Sequence, residues 1–303
     1  MPYSNEITDE AIVRLLAAVD EVPKPIGQIV RSGEGGEHLV WIVDDTLVLR
    51  VRADGQDQRG LVREKNLWSL LSSINPASTV MPICLGTGAL DEGERPYGLY
   101  RKLTGVSVET SAQSVNAATE KDLAEMLHLL KRTPIDKTRE IGVGDAERVG
   151  LADLRNQARS AWQRLSDHGH LGDLACNVDI DQALHLSDVA ATAVHEPVLL
   201  HADLKGEHIF VDPETGRLTG VIDWSDACVG DPAVDIRGLA ISVGAAAAAR
   251  IAWIAGYGGA VAARGAFAAR CDSIICLDAI LHGDDDAPEW LVRRQLQRAL
   301  EQV

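Results

Sequence analysis

The chain has 303 residues, is 46% hydrophobic, and sets 45 acidic side chains against 29 basic ones for a formal charge of −16. That length accommodates one large domain or two lobes, and a surface this acidic excludes nucleic acid and anionic membrane as electrostatic partners. A cationic small substrate fits the charge, and so does a merely solubilising surface.

Thr8 precedes an amphipathic stretch, Ala11 to Val19, with Ile12, Leu15, Leu16 and Val19 at helical spacing, and Pro23 and Pro25 end it. Ile26 to Val30 and Leu39 to Val43 read as strands around a turn at Ser32 to Glu37, and the alternating, β-branched run Thr46 to Arg52 as a third. A helix is expected over Arg63 to Leu71 and strands over Val80 to Leu85 and Tyr97 to Leu103. These elements make residues 1–104 a β-rich first lobe ending at Thr104-Gly105, and residues 105–303 a second one. There the pattern turns helical, over Asp122 to Leu130, Leu151 to His168 and Asp179 to Ala193. After an interruption it resumes at Ile236 to Val243, an Ala-rich segment, Gly265 to Leu281 and Pro288 to Leu300. Cys84, Cys176, Cys228, Cys271 and Cys276 are odd in number, scattered and without CxxC spacing, as expected of reduced thiols in a cytoplasmic protein. The N-terminus shows no signal core, and the Ala-rich run Val243 to Arg250 is too short to span a bilayer.

The interruption carries the chemistry. An apolar run, Val198 to Leu200, leads into His201-Ala202-Asp203-Leu204-Lys205-Gly206-Glu207-His208, then a short strand, a turn at Asp212 to Arg217, and a second strand ending at Val221-Ile222-Asp223-Trp224. Such a hairpin would bring Asp203, His208 and Asp223 to one end. One carboxylate would then orient a hydroxyl, and two ligands would serve Mg²⁺. Phosphoryl transfer to an alcohol needs that set, because it is catalysed mostly by positioning and charge neutralisation.

A glycine-bearing hairpin, a basic strand, a helix, a hinge, a His-x-Asp loop and an Asp-Trp pair follow one another in kinase order. In this the chain resembles the aminoglycoside phosphotransferase superfamily, most of all the macrolide 2′-phosphotransferases. The resemblance implies an α+β, bilobal protein-kinase-like fold with a small β-rich N-lobe and a larger helical C-lobe. Two departures from the wider pattern, His208 in place of the loop asparagine and arginines in place of the strand lysine, are shared with macrolide kinases. Trp224 after Asp223 adds to that likeness.

The same resemblance implies the roles. Asp203 is the catalytic residue that takes or orients the acceptor proton; Asp223 and His208 bind Mg²⁺, although imidazole is the poorer ligand. Arg50, preferred to Arg52, grips phosphate with Glu64 as its partner. The turn Ser32, Gly33, Gly35, Gly36 and His38 covers the phosphates, without being a Walker A loop. Tyr100 and Lys102 belong to a hinge whose backbone reads the purine of GTP or ATP. Lys205 neutralises the transferred group, Asp231 faces an aminosugar ammonium, and His201 and Asp235 hold the loop. The acid-poor segment Ile236 to Gly265 favours an apolar acceptor, and Asp284 to Asp286 reads as a solvated loop.

The function implied is a monomeric macrolide kinase that phosphorylates the 2′-hydroxyl of desosamine. An aminoglycoside or other small-alcohol kinase is the near alternative and a nucleotide-binding pseudokinase the distant one. No His-x₃-His or equivalent cluster supports a zinc hydrolase.

Overall fold

A computed structural model describes residues 7–32, 38–52, 58–76, 81–90, 95–111, 115–147, 149–172, 174–283, 285 and 287–302. The chain forms two compact units, residues 1–104 with 219–225, and residues 105–218 with 226–303. Chain order alone puts Asp223 in the second lobe; the fold packs it with the first.

In the first unit, helix α1 (Asp9–Ala17) starts at Thr8, whose side chain accepts from the Ala11 N–H. The antiparallel sheet has the order β1-β2-β3-β5-β4, with β1 at Ile29–Arg31, β2 at His38–Val43, β3 at Leu47–Arg52, β4 at Cys84–Leu90 and β5 at Arg95–Arg101. Helix α2 spans Gln58–Ile74. Asp44 and Asp45 both have positive φ in the three-residue connection Asp44-Asp45-Thr46 between β2 and β3, which the Thr46 N–H closes by donating to Val43 O. The Asp44 carboxylate accepts from the Gly27 and Gln28 N–H groups, so that stretch is a side-chain-bonded loop and β1 begins later than the apolar pattern suggests. The strand expected at Val80 to Leu85 also begins later, at Cys84, past Pro82, which has no N–H to donate. Leu47, Leu49 and Val51 alternate into a core with Ile12, Leu16, Trp41, Val43 and Leu99.

The second unit is mainly helical. Strands β6 (Val106–Ser107) and β8 (Ile209–Val211) pair antiparallel, as do β7 (Val198–Leu200) and β10 (Cys228–Gly230); β9 (Leu218–Val221) leads into residues 219–225 of the first unit. The helices are α3 (Ala117–Arg132), α4 (Ile135–Glu140), α5 (Leu151–Asp167), α6 (Leu174–Asn177), α7 (Ile180–Ala183), α8 (Asp188–Thr192), α9 (Ala233–Val243), α10 (Ala245–Ile254), α11 (Gly259–His282) and α12 (Glu289–Ala299). The single helix expected at Asp179 to Ala193 is two, because Leu184 and Leu186 are both buried, an extended alternation, and Ser187 caps a new helix by accepting from Ala190 N–H. Helix α11 starts at Gly259, not Gly265. Gly265 lies inside it for packing, since a Cβ there would stand 2.6 Å from Ile236 Cβ of α9. Among the described residues no helix is long and apolar enough to cross a membrane.

Candidate active site

Each unit carries one set of candidate groups. In the first, alternation along β3 sends Leu49 and Val51 into the core and leaves Arg50 on the opposite face. There Arg50 meets two carboxylates, Glu64 of α2 at 3.7 Å and Asp223 at 3.3 Å. Glu64 also accepts from the Trp224 N–H at 3.4 Å, while Arg63 donates to the Ser225 carbonyl at 2.6 Å, so α2 clamps this segment. Trp224 is buried and donates its indole N–H to Val221 O. Burial disfavours charge on Arg50, but Glu64 and Asp223 outweigh it and raise its pKa. Burial raises the Glu64 pKa, against the pull of Arg50. Arg50→Met removes the larger of the two positive charges acting on buried Glu64 and is expected to destabilise the protein by about 3 kcal/mol; denaturant unfolding measures it, and a loss below about 1 kcal/mol would show that Glu64 is adequately held by Arg63 and the Trp224 N–H.

Asp223 has φ +65, a left-handed conformation that a non-glycine residue adopts at a cost of about 1–3 kcal/mol. One of its oxygens accepts from Arg50 and Ser225, and its side chain is 34% exposed. A partly solvated carboxylate on a strained turn is a hard oxygen donor of the kind Mg²⁺ takes. Among the described residues no three His, Cys, Asp or Glu side chains are grouped as a metal site, and Mg²⁺ characteristically completes its shell with water and nucleotide phosphate.

The expected hinge residues take partners within the first unit. Tyr100 turns inward and packs edge-on against Trp68 at 5.4 Å, with burial raising its pKa. Lys102 spends its N–H on Thr46 O and its ammonium on Asp45. Ser32 continues the β1–β2 ladder through its N–H to Val40 O. Gly33, Gly35 and Gly36, and the side chain of His38, lie outside the described residues.

In the second unit the His201–His208 loop is held from below by α9. The buried Asp235 accepts from His201 N–H at 3.1 Å and from Ala202 N–H at 2.8 Å, and Ala202 has φ +70. His201, fully buried, accepts the Asp203 N–H on Nδ1 at 3.2 Å, which assigns its proton to Nε2. Ser242 donates to Leu204 O, and Gly238 lets the Leu204 side chain approach. Residues 235, 238 and 242 share one helix face, so a single stripe of α9 cradles the loop. Burial pushes the Asp235 pKa up to about 6, against the two N–H bonds that lower it.

Asp203 emerges from this loop partly exposed. Lys205 Nζ lies 3.2 Å from one oxygen and His208 Nδ1 3.5 Å from the other. Burial disfavours charge on Lys205, yet Asp203 and Glu207 raise its pKa, so it remains an ammonium. His208 Nδ1 also bonds the Asp203 carbonyl at 2.9 Å, and its Nε2 lies 3.7 Å from the Glu207 carboxylate. Asp231, expected to face a substrate ammonium, instead accepts a two-pronged bond from Arg264, Nε at 3.0 Å and Nη2 at 2.9 Å. Much of the acid-poor segment from Ile236 is core, with Ile236, Leu239, Ala240, Ala247, Ala248 and Ile251 buried, while Trp253 and Ile254 are exposed. Sequence reading also missed Glu109, a buried carboxylate that donates its N–H to Gly206 O and takes Arg298 at 3.0 Å and Arg294 at 3.2 Å. No local pattern marks such partners, which are distant in sequence.

Residues 28–269 match the phosphotransferase enzyme family, APH. Viomycin phosphotransferase of Streptomyces vinaceus is 26% identical over 232 residues, 74% of this chain and 77% of that protein. The GDP complex of aminoglycoside 2′-phosphotransferase-IIIa shares the fold at a TM-score of 0.65 and 19% identity, over 97% of this chain and 99% of that one. Macrolide 2′-phosphotransferase MphH of Brachybacterium faecium does so at 0.57 and 20%, over 96% and 98%. With the family matched over most of its length and a loop that presents one aspartate beside a lysine and a histidine, the chain belongs to the phosphotransferase enzyme family.

Proposed function

We propose that the protein transfers the γ-phosphoryl group of GTP or ATP to the 2′-hydroxyl of a macrolide's desosamine, inactivating the drug in the cytoplasm. The observation that carries the transfer chemistry is the presentation of Asp203 on a loop fixed by Asp235. Asp203 orients the hydroxyl and accepts its proton. Lys205 offsets charge on the moving group, and Arg50, held by Glu64, grips donor phosphate. Asp223 would hold Mg²⁺, with His208 as a second contact; the ion would supply positive charge against that of the donor phosphates. His208, Trp224 and the strand arginine support the macrolide as acceptor, since macrolide kinases resemble the chain in them.

A second reading has an observation of its own. The viomycin and aminoglycoside enzymes among its relatives favour a more cationic, polyhydroxylated antibiotic, and the charge of −16 suits one. Mass spectrometry of erythromycin, kanamycin and viomycin incubated with the protein, Mg²⁺ and either GTP or ATP tests both. A gain of about 80 Da on erythromycin alone is the expected result. A gain on kanamycin or viomycin alone selects the second reading. No gain on any, with nucleotide bound, would reject both and leave a kinase of another small alcohol or a non-catalytic module.

A further inference from the structure

The face of α9 opposite the catalytic loop is held by two neighbouring residues of α11. Gly265 allows contact with Ile236, and a Cβ there would also stand 3.1 Å from Ala233 O, in the first turn of α9. Arg264 is only 4% exposed. Besides its paired bonds to Asp231 it donates to Ala190 O at 3.1 Å and Ala193 O at 3.4 Å, so α8, α11 and the start of α9 meet on one guanidinium. The Asp231 oxygen that takes Arg264 Nη2 also accepts the Ala233 N–H at 2.9 Å, capping α9. Two residues further on, Asp235 holds the N–H groups of His201 and Ala202. A rotation of the first turn of α9 would therefore pull on the backbone immediately before Asp203.

We propose that Arg264 is a positioning residue for Asp203, acting through Asp231 and the first turn of α9. This rests on the phosphotransferase reading of Asp203, and it assigns Asp231 to the loop's support rather than to the acceptor.

The test compares wild type with Arg264→Lys, which keeps the charge and loses the planar fork, and with Asp231→Asn. Asp231 is 46% exposed and asparagine keeps one acceptor for Arg264, so its variant is expected to disturb the fold less than the buried Arg264→Lys, and denaturant unfolding of both checks this. Arg164→Met is the control: it removes the partner of buried Asp278 on α11 and leaves the first turn of α9 intact. Measured are kcat, KM for nucleotide and for each antibiotic, and amide hydrogen exchange at Ala202. Arg264→Lys is expected to lower kcat on the order of 100-fold and Asp231→Asn about 10-fold, with KM values within about twofold. Ala202 exchange should quicken at least about 10-fold in both, and not in the control. Unchanged kcat and unchanged Ala202 exchange in folded Asp231→Asn would overturn the proposal, as would equal quickening in Arg164→Met. A raised antibiotic KM at constant kcat would overturn it too, and return Asp231 to the acceptor. Should wild type phosphorylate none of the three antibiotics, the proposed function has failed, and Ala202 exchange still decides for or against the coupling.

Discussion

Asp203→Asn lowers the rate of phosphoryl transfer by about 10³-fold and leaves nucleotide affinity within about twofold of wild type. The substitution conserves shape and removes the one group on the loop placed to accept a proton. The backbone bonds that shape the loop run from Asp203 N–H to His201 and from Lys205 N–H to Asp203 O, and asparagine keeps both. Only the contacts of the carboxylate with Lys205 and His208 weaken. Lys205 is about half exposed and solvent screens that pair, so the melting temperature should stay within a few degrees. Single-turnover kinetics and nucleotide titration read the two effects separately. Transfer within about tenfold of wild type would remove Asp203 from the chemistry and leave it a structural loop residue.

Asp235→Asn has the second-largest expected effect, through geometry alone. The carboxylate takes one N–H on each oxygen, from Ala202 and from His201. An amide offers a single acceptor and turns an NH₂ toward the other donor. One buried bond is lost and a donor faces a donor, at about 1–3 kcal/mol, and kcat should fall on the order of 100-fold as the loop shifts.

Acid should do the same reversibly. As pH falls through about 6, the group gains a proton and one N–H loses its acceptor, so transfer declines. Its folded pKa lies above the unfolded value near 3.9, so the folded state binds that proton more tightly. This group's contribution to stability therefore grows as pH drops from about 6 toward about 4. Transfer that declines while the fold holds, and a decline displaced in Asp235→Asn, are the expected pair of observations. A profile identical in wild type and variant would place the titrating group elsewhere.

The elements that were legible in the sequence are those whose pattern is local. Thr8 and the Ile12, Leu15 and Leu16 stripe mark α1 because capping and amphipathicity act within one or two turns of helix. The turn from His201 to His208 was legible for the same reason: His208 Nδ1 reaches the Asp203 carbonyl five residues away, and His201 bonds the N–H two residues on. Gly265 was misread as the start of a helix, because a glycine needed for close packing and one needed for an end look alike until the neighbouring helix is seen. The apolar run from Ile236 was ambiguous for a like reason, since a core helix and a binding wall share a composition.

By itself the sequence determined which chemical groups exist and in what order: an arginine strand, a His-x-Asp loop, and an aspartate before tryptophan. Only the tertiary structure decided which partner each takes. It set Arg50 between Glu64 and Asp223, gave Asp231 to Arg264, turned Tyr100 onto Trp68, and laid Asp235 under His201. Charged side chains carry no local code for their partners. A carboxylate pairs with whichever cation or N–H the packed core brings within reach, and that core is assembled from residues far apart along the chain.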